Sequence, residues 1–240
     1  MPMGTSGIMM LIDTSKCMAC KGCQVSCKAW HQLPAEDTSF TGSYENPEDL
    51  SVDVLTRVRF NEVLDSGPFK YMEWLFFKDQ CRHCIGKMGG APCQRACPVR
   101  GAIVTEAGGA IVITENCDPG RCDRDCEDAC PYDIPKNDGG KETKCDFCYD
   151  RIENGKVPSC AETCPPGAIT FGSASSVQGV ANARLSEIRA RYPNANIYPN
   201  GHGGGGKKGG MGGGTRVIWL LIDDSSAYGI TDGGHGGMGH

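Results

Sequence analysis

The sequence has no apolar run approaching the roughly 18 residues that would cross a bilayer as a helix. Its first arginine is Arg57, which leaves no twin-arginine export signal ahead of it. The apolar run near the start, Ile8 to Ile12, spans five residues, short of the roughly 7–15 of a secretory core. Pro2 in second place excludes myristoylation. Basic charge is also scarce: Lys and Arg total 24 against 29 Asp and Glu, a formal charge of −5, which argues against a nucleic-acid partner. Hydrophobic residues make up 39% and aromatics 7%, thin for an ordinary apolar core in 240 residues. Something besides side-chain burial is therefore expected to hold part of the fold. Absent too are an HExxH helix, a nucleophile elbow and a complete phosphate-binding loop, so no bond-making site is expected in this chain. The expectation is a protein without a membrane span, exported, if at all, with a signal-bearing partner; periplasm and cytoplasm both stay open.

Cysteine is in excess, with 16 in a chain too long for a small disulfide knot. They fall into four groups of four. Group one is Cys17-x2-Cys20-x2-Cys23-x3-Cys27. Group two is Cys81-x2-Cys84-x8-Cys93-x3-Cys97, followed by Pro98. Group three is Cys117-x4-Cys122-x3-Cys126-x3-Cys130, followed by Pro131. Group four is Cys145-x2-Cys148-x11-Cys160-x3-Cys164, followed by Pro165. Each group ends with a cysteine three residues after the last of three others. Group one has the bacterial ferredoxin spacing, with Lys28 in the place of proline.

The chemistry behind this grammar is specific. A cubane cluster offers four iron corners, each taking one thiolate. A Cys-x2-Cys-x2-Cys loop fills three corners of one cluster, and the cysteine three residues later points away to the other cluster of a pair. Disulfides are the first alternative, but Cys-x2-Cys pairs bridge poorly. Structural zinc is the second, yet zinc ribbons do not produce the repeated Cys-x3-Cys-Pro ending.

Sixteen thiolates match four [4Fe–4S] clusters, so the groups must pair two by two. Groups two and three stand 19 residues apart, group one stands 53 before group two, and group four follows group three after 14. Pairing two with three leaves one to pair with four around them; one with two and three with four is the other possibility. The nested pairing predicts four ligand sets: Cys17, Cys20, Cys23 and Cys164 for cluster 1; Cys27, Cys145, Cys148 and Cys160 for cluster 2; Cys81, Cys84, Cys93 and Cys130 for cluster 3; Cys97, Cys117, Cys122 and Cys126 for cluster 4.

Strand signals agree with two such units. Apolar runs lead into the first three groups at Met9–Ile12, Trp74–Phe77 and Ile111–Ile113, and Gly-Ala-Ile follows Cys-Pro at both 101–103 and 167–169. The expected class is α+β: two nested two-cluster ferredoxin units, an outer one from 1–71 and 141–175 with a loop insertion at 28–71, and an inner one from 72–140. Residues 176–192 are expected to form an amphipathic helix and 216–222 a strand. With the Gly-rich stretch between them, this 176–240 tail is expected to bury its apolar strips on a partner subunit, the protein's own core being the alternative.

Four cubanes at about −2 each would carry the net charge from −5 to about −13. Lys21, Lys28, Arg82, Lys87, Arg95, Arg100, Arg121 and Lys144 all lie within a few residues of a cysteine and could tune the local field or simply face solvent. His83, between two cysteines, is expected to touch a cluster's surroundings or the surface rather than bind iron. Residues 201–214 nearly spell a phosphate loop at Gly206-Lys207 but lack the following Ser or Thr, and His235 and His240 are weak metal candidates.

This order of groups resembles the four-cluster beta subunits of the molybdenum and tungsten bis-pterin oxidoreductases, over roughly residues 9–175. Within that family the sequence is most similar to the beta subunit of a metal-dependent formate dehydrogenase. The similarity is carried by CKAWH at 27–31, PAEDTSFTGSYENPEDLS at 34–51 and VRF at 58–60. It continues through EWLFFKDQCRHC at 73–84, CPYDIPK at 130–136, KCDFCYDRIENGKVPSC at 144–160, RLSEIRARYPNA at 184–195 and TRVIWLL at 215–221. The resemblance implies a non-catalytic electron-transfer subunit. Its tungsten or molybdenum pterin would reside in a large catalytic partner, cluster 1 would lie nearest that pterin, and the outlet would be a cytochrome, ferredoxin or hydrogenase. Nitrate, sulfoxide and polysulfide reductases use the same kind of module. Two departures stand out: the x8 gap inside group two and the x4, x3, x3 gaps of group three are longer than the family's usual ones, which lengthens the loop around cluster 4.

Overall fold

The computed structural model describes residues 7–64, 72–86, 90–199, 214–231 and 234–235. The first of the described elements is β1 (Ile8–Asp13), buried along its whole length. The first cysteine loop follows and leads into α1 (Gly22–Trp30), which carries Cys23 and Cys27 one turn apart on its buried face. Nine residues are too few to hold a helix alone in water, where roughly 12–15 are needed. What holds α1 is its packing.

Next come β2 (Thr56–Leu64) and β3 (Met72–Gln80), an antiparallel pair in register from Thr56↔Gln80 to Leu64↔Met72. One face carries Phe60, Trp74 and Phe76, joined by Tyr44 edge-on to Trp74 at 5.0 Å. β2 lies inside the stretch expected to be a loop insertion. Its alternation is masked because the charged side chains Arg57 and Arg59 are themselves buried, Arg57 in an ion pair with Glu45 at 2.8 Å.

β3 delivers the backbone to Cys81. Beyond it lie α2 (Pro92–Ala96), started by a proline that needs no donor there, and the hairpin of β4 (Ile103–Thr105) with β5 (Ile111–Ile113). α3 (Asp125–Asp128) follows, with three acidic residues in its first turn. Then come α4 (Tyr149–Glu153), α5 (Ser159–Thr163) and β6 (Ile169–Ser173). β6 returns antiparallel to β1, from Ile8↔Ser173 to Ile12↔Ile169. α1 packs on α5, and α2 packs on α3.

The C-terminal part is built into the same body. α6 (Ala174–Ile188) is capped by the Ser173 hydroxyl, which accepts from the Ser176 N–H. β7 (Asn196–Tyr198) and β8 (Val217–Leu221) complete a sheet of order β6-β1-β8-β7, with β8 parallel to β1. The face bearing Met9, Leu11, Ile218 and Leu220 is covered by Val177, Ala181 and Ile188 of α6. The other, with Met10, Ile12 and Trp219, packs on Phe77 and Phe147. A strand buried on both faces reads as an unbroken apolar run, as VIWLL does.

Among the described residues, α6 and β8 bury apolar strips on β1, as in the alternative of packing on the protein's own core. Arg184 of α6 pins the packing through Asp13 of β1, Nε to Oδ2 at 3.0 Å. The Gly206-Lys207 loop, His240 and the side chains of Lys87 and His235 lie outside the described residues. No helix among the described residues is long and apolar enough to cross a membrane.

Candidate iron–sulfur sites

All sixteen cysteines are free thiols. The loops that carry them share an unusual backbone. Eight described non-glycine residues have positive φ, and six of them, Ala19, Lys21, His83, Arg124, Phe147 and Cys148, lie in cysteine loops. Ala19, His83 and Phe147 hold the same place, directly before the second cysteine of a Cys-x2-Cys turn. Side chains avoid this region unless the surroundings impose it. Alternating right- and left-handed residues turn successive N–H groups into one concavity, the anion-binding arrangement found at iron–sulfur sites. N–H groups already reach the sulfurs: that of His83 donates to Cys81 Sγ and that of Ile134 to Cys130 Sγ, each at 3.5 Å.

The fold gathers cysteines from different groups. A pocket is lined by Cys81, Cys84 and Cys93 of group two, Cys130 of group three, and Lys144. α1 against α5 brings Cys23 and Cys27 to Cys160 and Cys164. Electrostatic influence follows the same neighbourhoods. Burial and then neighbouring thiols, Cys164 and Cys20, push the Cys17 thiol up. Burial raises Cys145, with Cys27 the foremost of the neighbours that add to it. The Cys148 thiol is pushed up to about 12 by burial, with Asp146 and Cys160 adding to it, and its sulfur lies 3.7 Å from His31 Nε2. Cys126 is raised by burial and then by Glu142, Cys93, Cys97 and Cys117. Cys117 is raised by burial, with Glu142, Cys97 and Cys122 adding to it. Group three therefore reaches Cys97 through Cys117 and Cys126, with Cys122 beside Cys117, and the group-two pocket through Cys130.

Two lysines show that this donor set suits an anionic group. Lys78 on β3 and Lys144 before Cys145 are both buried, and neither forms an ion pair with a carboxylate among the described residues. Burial alone would pull the Lys78 ammonium down, but Cys160, Cys23, Cys145 and Cys27 outweigh it and its pKa stands above the ordinary value. Lys144 behaves likewise beside Cys81, Cys93 and Cys145. A buried cation needs an opposite charge, and four thiolates around an iron–sulfur cubane supply one.

Lys78 escapes a reading by spacing because it stands three residues before Cys81, in what reads as strand. His83 is fully buried, which removes the surface alternative for it: burial, with Lys144, Arg216 and Lys78, holds its imidazole well below its ordinary value. Its Nδ1 accepts the Ile111 N–H at 3.0 Å. Glu142 carries no spacing signal either; it is buried near Cys126 and Cys117, where burial and the neighbouring Glu127 lift its carboxyl to about 7.

Comparison with known proteins supplies the family. Residues 72–174 match the family described as 4Fe-4S dicluster domain. The formate dehydrogenase subunit beta of Megalodesulfovibrio gigas is 40% identical over 197 residues, covering 78% of this chain and 86% of that one. The formate dehydrogenase 2 subunit beta (cytochrome c-553) of Nitratidesulfovibrio vulgaris is 40% identical over 224 residues, 91% of this chain and 94% of that one. A component of the anaerobic dimethyl sulfoxide reductase of Escherichia coli is 34% identical over 197 residues, 79% of this chain and 87% of that one. The cysteine loops, the buried cations and these relatives agree: the protein belongs to the iron–sulfur beta subunits of the formate dehydrogenases, which transfer electrons and are not themselves the catalytic subunit.

Proposed function

We propose that the protein is a four-cluster wire between a tungsten or molybdenum bis-pterin formate dehydrogenase (CO2 reductase) subunit and an external electron carrier. Cluster 1 is assigned to Cys17, Cys20, Cys23 and Cys164, cluster 2 to Cys27, Cys145, Cys148 and Cys160, cluster 3 to Cys81, Cys84, Cys93 and Cys130, and cluster 4 to Cys97, Cys117, Cys122 and Cys126. The two units are nested, with the stretch from β3 to α3 set between α1 and α4. When bound, the clusters supply one-electron redox centres; the two electrons of formate oxidation pass singly.

The observation that carries this reading is the pocket in which Cys130 meets Cys81, Cys84 and Cys93 beside Lys144, an arrangement that the pairing of group two with group three accounts for. The protein's own residues hold the sulfurs in left-handed turns, donate N–H groups to them and surround them with buried cations. These contacts fix the sulfurs before an electron arrives. A relative named with cytochrome c-553 supports a cytochrome as the outlet over a ferredoxin or hydrogenase. The 34% identity to a dimethyl sulfoxide reductase component keeps another bis-pterin oxidoreductase as the second reading.

The test is metal analysis of the complex purified without oxygen from its native cell. About sixteen iron atoms per copy of this subunit, above the catalytic subunit's own, with one tungsten or molybdenum, are expected. Formate-dependent dye reduction should accompany them. Zinc in place of iron overturns the electron-transfer reading, and activity with a sulfoxide or nitrate alone transfers it to the second one.

A further inference from the structure

We propose that Lys78 and Lys144 set the relative potentials of the clusters, Lys78 holding up those of clusters 1 and 2 and Lys144 those of clusters 2 and 3. The inference rests on the cluster assignments just made and deepens them.

The placement of the two ammonium groups carries it. Lys78 is 2% exposed, and its Nζ donates to the side-chain oxygen of Gln80, a neutral partner. The thiols that act on its charge come from both clusters of the outer unit: Cys23, assigned to cluster 1, and Cys27, Cys145 and Cys160, assigned to cluster 2. Lys144 donates to the carbonyls of Ile111 and, at 3.1 Å, Cys145. It lines the pocket of Cys81, Cys84, Cys93 and Cys130 while standing one residue from Cys145. Each lysine thus lies between two neighbouring clusters. Carbonyl and amide dipoles orient these ammonium groups without neutralising them, so their charge acts on the clusters.

The direction follows from charge. One-electron reduction takes a four-thiolate cubane from about −2 to about −3. A fixed cation in a low-dielectric interior stabilises the more negative state. The step moves an electron only, and each lysine keeps its proton throughout. A lysine serving only to pack the fold would affect stability and leave the potentials where they are.

The experiment is an EPR-monitored redox titration of the complete complex, purified without oxygen, with iron counted in every sample. In Lys78→Gln two signals should move to lower potential, and in Lys144→Gln two should do so, one signal being common to both. Cluster 4 should stay in place in both, and Lys78→Arg and Lys144→Arg should stay near wild type. Should Lys78→Gln lose iron, Gln80→Glu takes its place, since it neutralises the ammonium where it stands, and the same two signals should fall. Unchanged potentials at full iron content, or an equal shift of all four signals, overturn the inference. Wild-type complex lacking cubane signals overturns the cluster assignment itself, a failure visible before any variant is made.

Discussion

The imidazole of His83 lies face to face on the ring of Phe147, centroids 3.7 Å apart and planes 13° from parallel. Both residues occupy the same place in a Cys-x2-Cys turn, one in group two and the other in group four, and both are left-handed, with φ of 47° and 67°. Two cysteine loops more than sixty residues apart in sequence therefore meet back to back, and the stack ties the group-two loop to the group-four loop. Phe171 of β6 closes edge-on against Phe147 at 5.7 Å, which carries the contact into the central sheet.

Phe147→Ala removes this joint. Truncating a buried phenylalanine costs about 3–5 kcal/mol, and at this chain length each kcal/mol lowers Tm by about 2–4 °C. The thermal transition of the complex should fall by on the order of 10 °C, read by loss of cluster absorbance on heating. An unchanged transition would mean that the stack does not hold the two loops together.

Much of the framework is legible in the sequence because apolar runs and cysteine spacing are local signals. β1, β5 and β6 stand where runs of Met, Leu, Ile and Val lead into or out of a cysteine group. α6 shows its turn-by-turn apolar stripe. What spacing cannot express is which surface a stripe will meet. VIWLL in β8 is as suited to a partner as to β1, and only the sheet decides. β2 is hidden because its buried positions include Arg57 and Arg59, charges that mimic a solvated loop. Lys78 is hidden for the converse reason: its counter-charges come from cysteines on either side of it in sequence, Cys23 and Cys27 upstream and Cys145 and Cys160 downstream.

The hold of α6 on the sheet makes a second case. Asp13 is buried, and its carboxylate accepts from Arg184 Nε at 3.0 Å and from the Ser15 N–H at 3.0 Å. Arg184→Met keeps the stem and removes the charge, leaving Asp13 with one fewer charged donor. Hydrogen bonds to charged groups are worth about 1.5–3 kcal/mol, so Tm should fall by several degrees. Asp13→Asn on the Arg184→Met background should lose little more. A double variant as costly as the sum of the singles would show that the two residues act independently.

Ligand substitutions separate the clusters. Cys164→Ser should remove the EPR signal of cluster 1, and Cys122→Ser that of cluster 4, each with loss of up to about four iron atoms from about sixteen. Each substitution takes one thiolate from one assigned ligand set and leaves the other three sets whole, so the remaining three signals should persist. Iron analysis with EPR at full reduction checks this. Loss of cluster 2 instead of cluster 1 from Cys164→Ser would exchange the crossing cysteines of the outer unit and redraw both ligand sets.

Glu142 gives the opposite sign to the two lysines. It is buried, and it is the foremost charged neighbour raising both Cys126 and Cys117, the group-three thiols assigned to cluster 4. A carboxylate there disfavours the extra electron, so cluster 4 should have the lowest potential of the four, while the buried cations lie beside the other three. Glu142→Gln keeps the shape and removes the charge. Titrated at alkaline pH, on the ionised side of a carboxyl that burial and Glu127 lift to about 7, the variant should show cluster 4 at higher potential than wild type and the other three unmoved. A cluster 4 potential that does not move would show that solvent screens the carboxylate from the cluster.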